Sequence, residues 1–350
     1  MEIQHNTPML ELMLRPAFCV SSGKITQINR AAAPYLLSEG ADILPLLATG
    51  AEEYQAFEGG CLYLTLSLGC QEIGATVVAM DGSHLFLLEQ PGDMAELRAL
   101  SLAARELRGP LNGMSAAASG LSSADPKHLA LLNRRMHQMM RIVSNMSDAA
   151  QYCQAGEGQM EGIEICAWLE ELLSKTSLQL KEANLTLHYT LPATPIYTLA
   201  DMEKLERAVY NLISNAAKHT SPGGKIMVQL AHRGRLYLSV TDEGDGIDNG
   251  VLGNVYTRYL RTPAVTDGLE GIGLGMVLVR SVATMHGGTV LIDHPQGKGT
   301  RFTMTIQPRQ KGCLQVRSPI LRVDYAGERD HGLQELADVL PARLYSPENI

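Results

Sequence analysis

Between Asp93 and Ala150 the apolar residues recur at alternating steps of three and four. Leu97, Leu100, Ala104, Leu107, Leu111, Met114, Ala118 and Leu121 form one series, and Leu129, Leu132, Met136, Met139, Val143, Met146 and Ala150 a second. This spacing lays one narrow apolar stripe along each of two helices, the seam of a coiled coil or four-helix bundle. Ser122-Ser123-Ala124-Asp125-Pro126 separates the two, with Asp125 placed to cap the second helix and Pro126 in its first turn. Two helices cannot enclose a core of this kind. The pattern therefore asks for a second copy of the hairpin, giving a dimeric four-helix bundle over residues 93–152.

The chain before the hairpin follows another period. Ala17–Val20 and Ile25–Ile28 read as strands joined by a turn at Ser21–Lys24, and a short helix begins at Asn29. Cys61–Leu68, Ala75–Met80 and His84–Leu88 alternate or run apolar as strands, the last two separated by an Asp81-Gly82 turn. The opening stretch, an apolar strand, a glycine turn and then Ile-x-x-x-Asn-x-Ala-Ala, resembles that of PAS sensor domains. The resemblance implies a PAS-like sensor domain over residues 1–92, with a small α+β dimerisation module as the alternative. Cys19 and His84 are read as packing or surface residues rather than ligands.

Past the hairpin the informative signal is a series of boxes in fixed order. Residues 205–220 carry Asn211 and Asn215, four apart on one helical face, followed by Lys218 and His219. Val240–Ile247 contains Asp242, Gly244 and Gly246. Val255–Arg261 contains Arg258 and Arg261. Gly271-Ile272-Gly273-Leu274-Gly275 opens a helix, and Gly297-Lys298-Gly299-Thr300-Arg301-Phe302 closes the set. Each box alone is a common loop or a solvated helix face. Five in order within about 100 residues resemble the N, D, F and glycine boxes of the Bergerat-type ATP-binding domain of sensor histidine kinases.

The resemblance implies an α/β sandwich over residues 160–308 with ATP and Mg2+ as cofactors. By it, Asn215 is the metal ligand, an amide oxygen suited to a hard cation that keeps most of its waters. Asn211 lies beside it. Lys218 would reach the phosphates as a point charge, and His219 would pack at the nucleotide. Asp242 would accept the adenine amino hydrogen, with Gly244 and Gly246 letting backbone approach the base. Arg258 or Arg261 would neutralise the γ-phosphate. Gly271, Gly273, Leu274 and Gly275 would offer N–H groups at a helix start, and Thr300 belongs to the closing box.

The hairpin carries the same family's reaction box with one change. Arg105-Glu106-Leu107-Arg108-Gly109-Pro110-Leu111 resembles the phosphoacceptor motif His-Glu-Leu-Arg-Thr-Pro-Leu, with Arg105 at the position of the histidine and Gly109 at that of Thr or Asn. Neutral imidazole offers a nucleophilic nitrogen near pH 7, and Glu106 would orient it and take its proton. A guanidinium stays protonated and delocalised and is a poor nucleophile. His137, on the second helix, sits roughly 11 Å along the axis from the level of Arg105 at 1.5 Å per residue, too far to substitute for it.

These features give an α+β multidomain chain and leave three functional readings. It is a cytoplasmic signalling protein that binds Mg-ATP without phosphorylating itself at the usual site, an active kinase acting on a partner or an unusual acceptor, or a scaffold with a vestigial pocket. Expected partners are a second copy, a response regulator or another histidine kinase. A net charge of -8 argues against a general nucleic-acid binder. No apolar run reaches the roughly 18 to 20 residues of a membrane span, and Met1–Thr7 lacks a signal-peptide core. Six scattered cysteines without a C-x-x-C pair suit reduced structural thiols. Residues 309–350 are left as an extension, with strands in Leu314–Tyr325 and a helix in Gly332–Leu340 that packs on the ATP-binding domain or serves a partner.

Overall fold

A computed structural model of the chain describes residues 10–11, 13–90, 103–105, 107–109, 111–112, 114, 118, 126–154, 158–246, 274–295, 299–309 and 331–346. Of the residues singled out above, Glu106, Arg258, Arg261, Gly271 and Gly273 lie outside the described residues, as do the strands expected in Leu314–Tyr325.

Five antiparallel strands open the fold: β1 (Ala17–Ser21), β2 (Lys24–Ile28), β3 (Cys61–Leu68), β4 (Gln71–Met80) and β5 (Ser83–Leu88). Their spatial order is β2-β1-β5-β4-β3. Ser22 and Gly23 turn β1 into β2 with φ of 51° and 77°, the left-handed pair that matches the twist of a tight hairpin. Asn29 shows why an amide follows β2. Its Oδ1 accepts from Ala17 N and Ala32 N at 3.0 Å each, and its Nδ2 donates to Arg15 O at 2.8 Å. One buried side chain thereby ties the start of β1 to the segment that follows β2. The helix expected after it is a 3-10 segment, Arg30–Tyr35, with Pro34 inside; a proline cannot donate the N–H that an α-helix would need there. Phe18 stacks on Phe86 at 4.7 Å in the core of this sheet, and a short helix, α1 (Ala51–Gln55), leads into β3.

Helix α2 (Pro126–Gln154) runs 29 residues, and the described residues between 103 and 118 are helical beside it. The seam splits by heptad. Ala104, Leu111 and Ala118, seven apart, are buried, as are Leu129, Met136 and Val143. On the other half of each stripe Leu107, Met114, Leu132 and Met139 are 46%, 50%, 38% and 45% exposed, whereas Met146, seven residues past Met139, is buried.

The C-terminal sandwich contains β6 (Glu161–Glu164), α3 (Ile165–Glu182), β7 (Thr186–Thr190), β8 (Tyr197–Ala200), α4 (Met202–His219), β9 (Lys225–Arg233), β10 (Arg235–Asp242), α5 (Leu274–Met285), β11 (Val290–Asp293) and β12 (Arg301–Ile306). Strands β9 and β10 bury every second residue, so one face of the sheet is core. Helices α3, α4 and α5 supply Leu173, Leu180, Leu205, Leu212, Val277 and Val282 to the core that holds Val228, Val240 and Phe302. The Asp201 carboxylate caps α4 through Lys204 N at 3.2 Å. Glu164 caps α3 through Cys166 N and Ala167 N.

The two sheets are one. Strand order runs β2-β1-β5-β4-β3-β11-β12-β10-β9-β7, joined where β3 pairs antiparallel with β11 in the register Tyr63↔Val290, Leu62↔Leu291, Cys61↔Ile292. Gly60 makes the join possible. Its φ is +85°, and a Cβ there would collide with the Ile292 carbonyl oxygen. Arg280 of α5 is buried at the joint, paired with Glu89 just past β5 and lying 5.0 Å from the Tyr63 ring centroid. This joint lies beyond the separate domains expected from the sequence.

The expected helix in the extension is shorter than its apolar pattern: α6 (His331–Glu335) is followed by turns to Leu340 and a 3-10 turn at Ala342–Tyr345. Leu333, Leu336, Ala337, Leu340 and Tyr345 are nonetheless all buried. The segment packs against α2, α3 and α4, so it touches the hairpin as well as the sandwich. Among the described residues, no helix is long and apolar enough to cross a membrane.

Candidate functional site

Arg207, Asn211, Asn215 and Lys218 recur on one face of α4. Asn211 is 4% exposed, and its Nδ2 donates to Arg207 O at 2.8 Å. That bond fixes the amide, because the oxygen must then face away from the helix backbone. Gly275, at the start of α5, sits directly over it: a Cβ at Gly275 would lie 2.7 Å from Asn211 Oδ1. Gly275 thus has a packing reason as well as the loop role expected of it. Asn215 is half-buried one turn further on, and Leu274 is buried beside this cluster at the start of α5.

Asp242 ends β10 and is 2% exposed. Its Oδ1 accepts from Gly244 N at 2.9 Å and from Thr300 N at 3.1 Å. Asp242 N donates to Thr300 O at 3.0 Å, so the closing glycine box is stitched to the acidic one. Burial pushes the Asp242 carboxyl above its ordinary value, against the opposing pull of the two N–H groups. Both bonds fall on Oδ1, and Oδ2 accepts none among the described residues. A carboxylate oxygen left as an acceptor suits an amino donor.

The glycines around Asp242 serve close approach inside the protein. A Cβ at Gly244 would strike the His219 carbonyl oxygen, which ends α4, and one at Gly299 would strike the Asp242 carbonyl oxygen. Gly246 has φ of +83° and lies against the His294 ring. The tight contact at Gly244 is therefore with His219 backbone, whereas the expectation had placed a base there. The His219 side chain is exposed.

Lys218 Nζ lies 2.5 Å from Asp338 Oδ2, in the C-terminal segment. Arg141 of α2 holds the same oxygen at 2.5 Å and Glu335 Oε2 at 3.3 Å. Arg207 reaches Asp148 Oδ2 at 2.9 Å, Asn145 Oδ1 at 3.0 Å and Glu335 Oε1 at 3.4 Å. Arg141, Arg207, Glu335 and Asp338 were not singled out in the sequence. They lie up to 197 residues apart, and no spacing marks them as partners. Arg105 is exposed on the first hairpin helix, and nothing lies within 4 Å of where a Gly109 Cβ would be. His137 is buried, its Nδ1 bonded to Asn133 O at 2.8 Å and its ring edge-on to Tyr345. Among the described residues no cluster of His, Cys, Asp and Glu could hold a metal ion, and the Asn215 amide stands outside that residue set.

Comparison with known proteins points to the same part of the chain. Residues 200–310, which span α4 to β12, match the family described as Histidine kinase-, DNA gyrase B-, and HSP90-like ATPase. Sensor histidine kinase WalK of Bacillus subtilis is 27% identical over 59% of this chain and 36% of its own length. The adaptive-response sensory kinase SasA of Parasynechococcus marenigrum is 24% identical over 80% of this chain and 76% of its own. The alginate biosynthesis sensor protein KinB of Pseudomonas aeruginosa is 27% identical over 80% of this chain and 48% of its own. The chain thus spans about a third of WalK and half of KinB. Among solved structures, full-length ShkA in complex with AMPPNP shares the fold, with a TM-score of 0.51 over 61% of this chain and 46% of that one at 21% identity. Residues 200–310 thus form an ATPase domain of the histidine kinase type, and the relatives that the chain resembles over 59–80% of its length are sensor kinases.

Proposed function

We propose that this protein is a nucleotide-reading partner in two-component signalling that binds Mg-ATP but does not phosphorylate itself at the usual position. One observation carries the reading. The Asn211 and Asn215 amides, Gly275 and the buried Asp242 frame one end of the sandwich, while the exposed side chain at the acceptor position is the guanidinium of Arg105. His137 offers no substitute, being packed under Tyr345.

ATP at this end would supply a phosphoryl group. Asp242 Oδ2 would accept from the adenine amino group, Asn215 would hold the Mg2+ and Lys218 would meet the phosphates. Arg105 stays protonated and takes no phosphoryl group. The spatial order β2-β1-β5-β4-β3 supports a PAS-like sensor role for the N-terminal sheet. The exposed heptad half of the hairpin supports a second copy closing a four-helix bundle. A cytoplasmic setting and a response regulator or another kinase as partner complete the reading.

The test is incubation with γ-labelled ATP and Mg2+, comparing the native chain with Arg105→His and Asn215→Ala. Label on Arg105→His alone is the expected result. Label on the native chain that Asn215→Ala abolishes would instead mean an active kinase with another acceptor.

A further inference from the structure

The C-terminal segment 331–346 is wedged between the hairpin and the ATPase-type domain. Leu336, Ala337 and Leu340 share the hydrophobic core that contains Val143 and Met146 of α2 and Leu205 of α4. Its backbone is held by the hairpin helix. Arg134 Nε and Nη2 donate to Ala337 O and Asp338 O at 3.0 Å each, and Gln138 Nε2 donates to Ala337 O at 3.1 Å. Asn133 Nδ2 donates to Tyr345 O at 3.0 Å, and the buried Tyr345 hydroxyl donates to Leu333 O at 2.6 Å. This is a built dock, with apolar anchors and satisfied backbone.

The dock aims two carboxylates at cations of the nucleotide-facing side of α4. Glu335 meets Arg207, and Asp338 meets Lys218, which lies three residues beyond Asn215 on the same face. Arg141 of the hairpin bridges both acids. A carboxylate on a lysine ammonium occupies the position that a phosphate oxygen would take. A phosphate brought to Lys218 would face Asp338 at like-charge distance, in a site where the lysine side chain is only 21% exposed.

We infer that segment 331–346 is a built-in brake: docked, it fastens the ATPase-type domain to the hairpin and puts the Asp338 carboxylate on Lys218 in competition with nucleotide phosphate. This rests on reading the Asn211–Lys218 face as the phosphate end of a nucleotide site. Engaging the phosphate would release Asp338, weaken the Arg141 bridge and free the domain to move off the hairpin.

The measurement is calorimetric titration of the full chain with Mg-AMPPNP, with hydrogen exchange of residues 331–346 before and after addition. Asp338→Asn keeps the shape and removes the charge. A segment docked in about nine molecules of ten weakens the apparent Kd about tenfold, so Asp338→Asn should tighten binding by that order, and nucleotide should raise exchange across 331–346 in the native chain. Arg134→Ala, which loosens the dock without touching Lys218, should tighten binding as well. Equal affinity in all three proteins with unchanged exchange would overturn the brake while leaving nucleotide binding intact. Absence of binding in every protein, Arg134→Ala included, would overturn the nucleotide reading and the brake with it.

Discussion

Asp242 shows how one side chain can specify a site. Because Gly244 N and Thr300 N both bond Oδ1, the carboxylate has one committed oxygen and one offered oxygen. In Asp242→Asn the amide oxygen keeps the two N–H groups, so Nδ2 replaces Oδ2 and, on the proposed reading, sets a donor against the adenine amino donor. Nucleotide affinity should fall roughly 5- to 150-fold, the equivalent of about 1–3 kcal/mol for one mispaired buried polar group, as read by calorimetric titration. The same variant should also change the pH dependence of stability. Burial raises the folded-state value of Asp242 above the 3.8 of the unfolded chain. Its contribution is therefore full below 3.8 and is lost as pH rises through the raised value. Urea midpoints of the native chain, relative to Asp242→Asn, should decline across that window; a difference that does not vary with pH would contradict the assignment. The sequence named Asp242 through its glycine-flanked box, and the box also named Gly244. It did not say that the carbonyl crowding Gly244 belongs to His219, because that contact is made by backbone and leaves no residue type behind.

Among elements, the hairpin was the most legible. Alternating three-four spacing located both helices, and the structure buries Ala104, Leu111, Leu129, Met136 and Val143 of that stripe while leaving Leu107, Met114, Leu132 and Met139 outward. Leu132→Glu combined with Met139→Glu alters only outward positions. It should leave the monomer's stability within about 0.5 kcal/mol per substitution and abolish self-association in sedimentation velocity. A double variant that sediments like the native chain would remove the second copy from the account of this stripe. The strands were legible for a similar reason, since β3 runs over the same Cys61–Leu68 that the pattern marked. The 3-10 segment after Asn29 was less so, for Pro34 sits within an otherwise helical alanine run. Segment 331–346 was legible as amphipathic, with its buried leucines where the pattern put them. Its dock was not: the arginines that hold it lie about 200 residues earlier, and each has an ordinary solvated role on a helix until the chain is folded.

For the whole molecule the decisive feature is the ten-stranded sheet. The join of β3 to β11 brings together segments about 230 residues apart, and strand pairing at that distance leaves no local signature beyond apolar runs. Arg280 adds a second tie, since the helix that starts at Leu274-Gly275 over Asn211 is also the helix whose guanidinium is paired with Glu89. The N-terminal sheet and the proposed nucleotide end of the sandwich are thus bridged by one rigid helix of 12 residues. Heating should unfold both in a single calorimetric transition. Gly60→Val, which sets a branched side chain at φ +85° against the Ile292 carbonyl, should split that transition in two, the earlier from the N-terminal sheet. One unchanged transition in the variant would mean that the strand pairing contributes little to the coupling.

Signalling chains are often pictured as beads that recombine freely, with an input bead exchanged and the output bead left intact. The β3–β11 pairing makes that exchange costly here. Removing the first ninety residues, or grafting others in their place, would strip β11 of its neighbour and expose a row of unpaired N–H and C=O groups on an apolar strand, Val290-Leu291-Ile292. Such an edge recruits whatever strand is nearest, including that of another molecule. The two modules are therefore bound to a shared inheritance: a substitution tolerated by one must preserve the edge of the other, and they can change only as a pair.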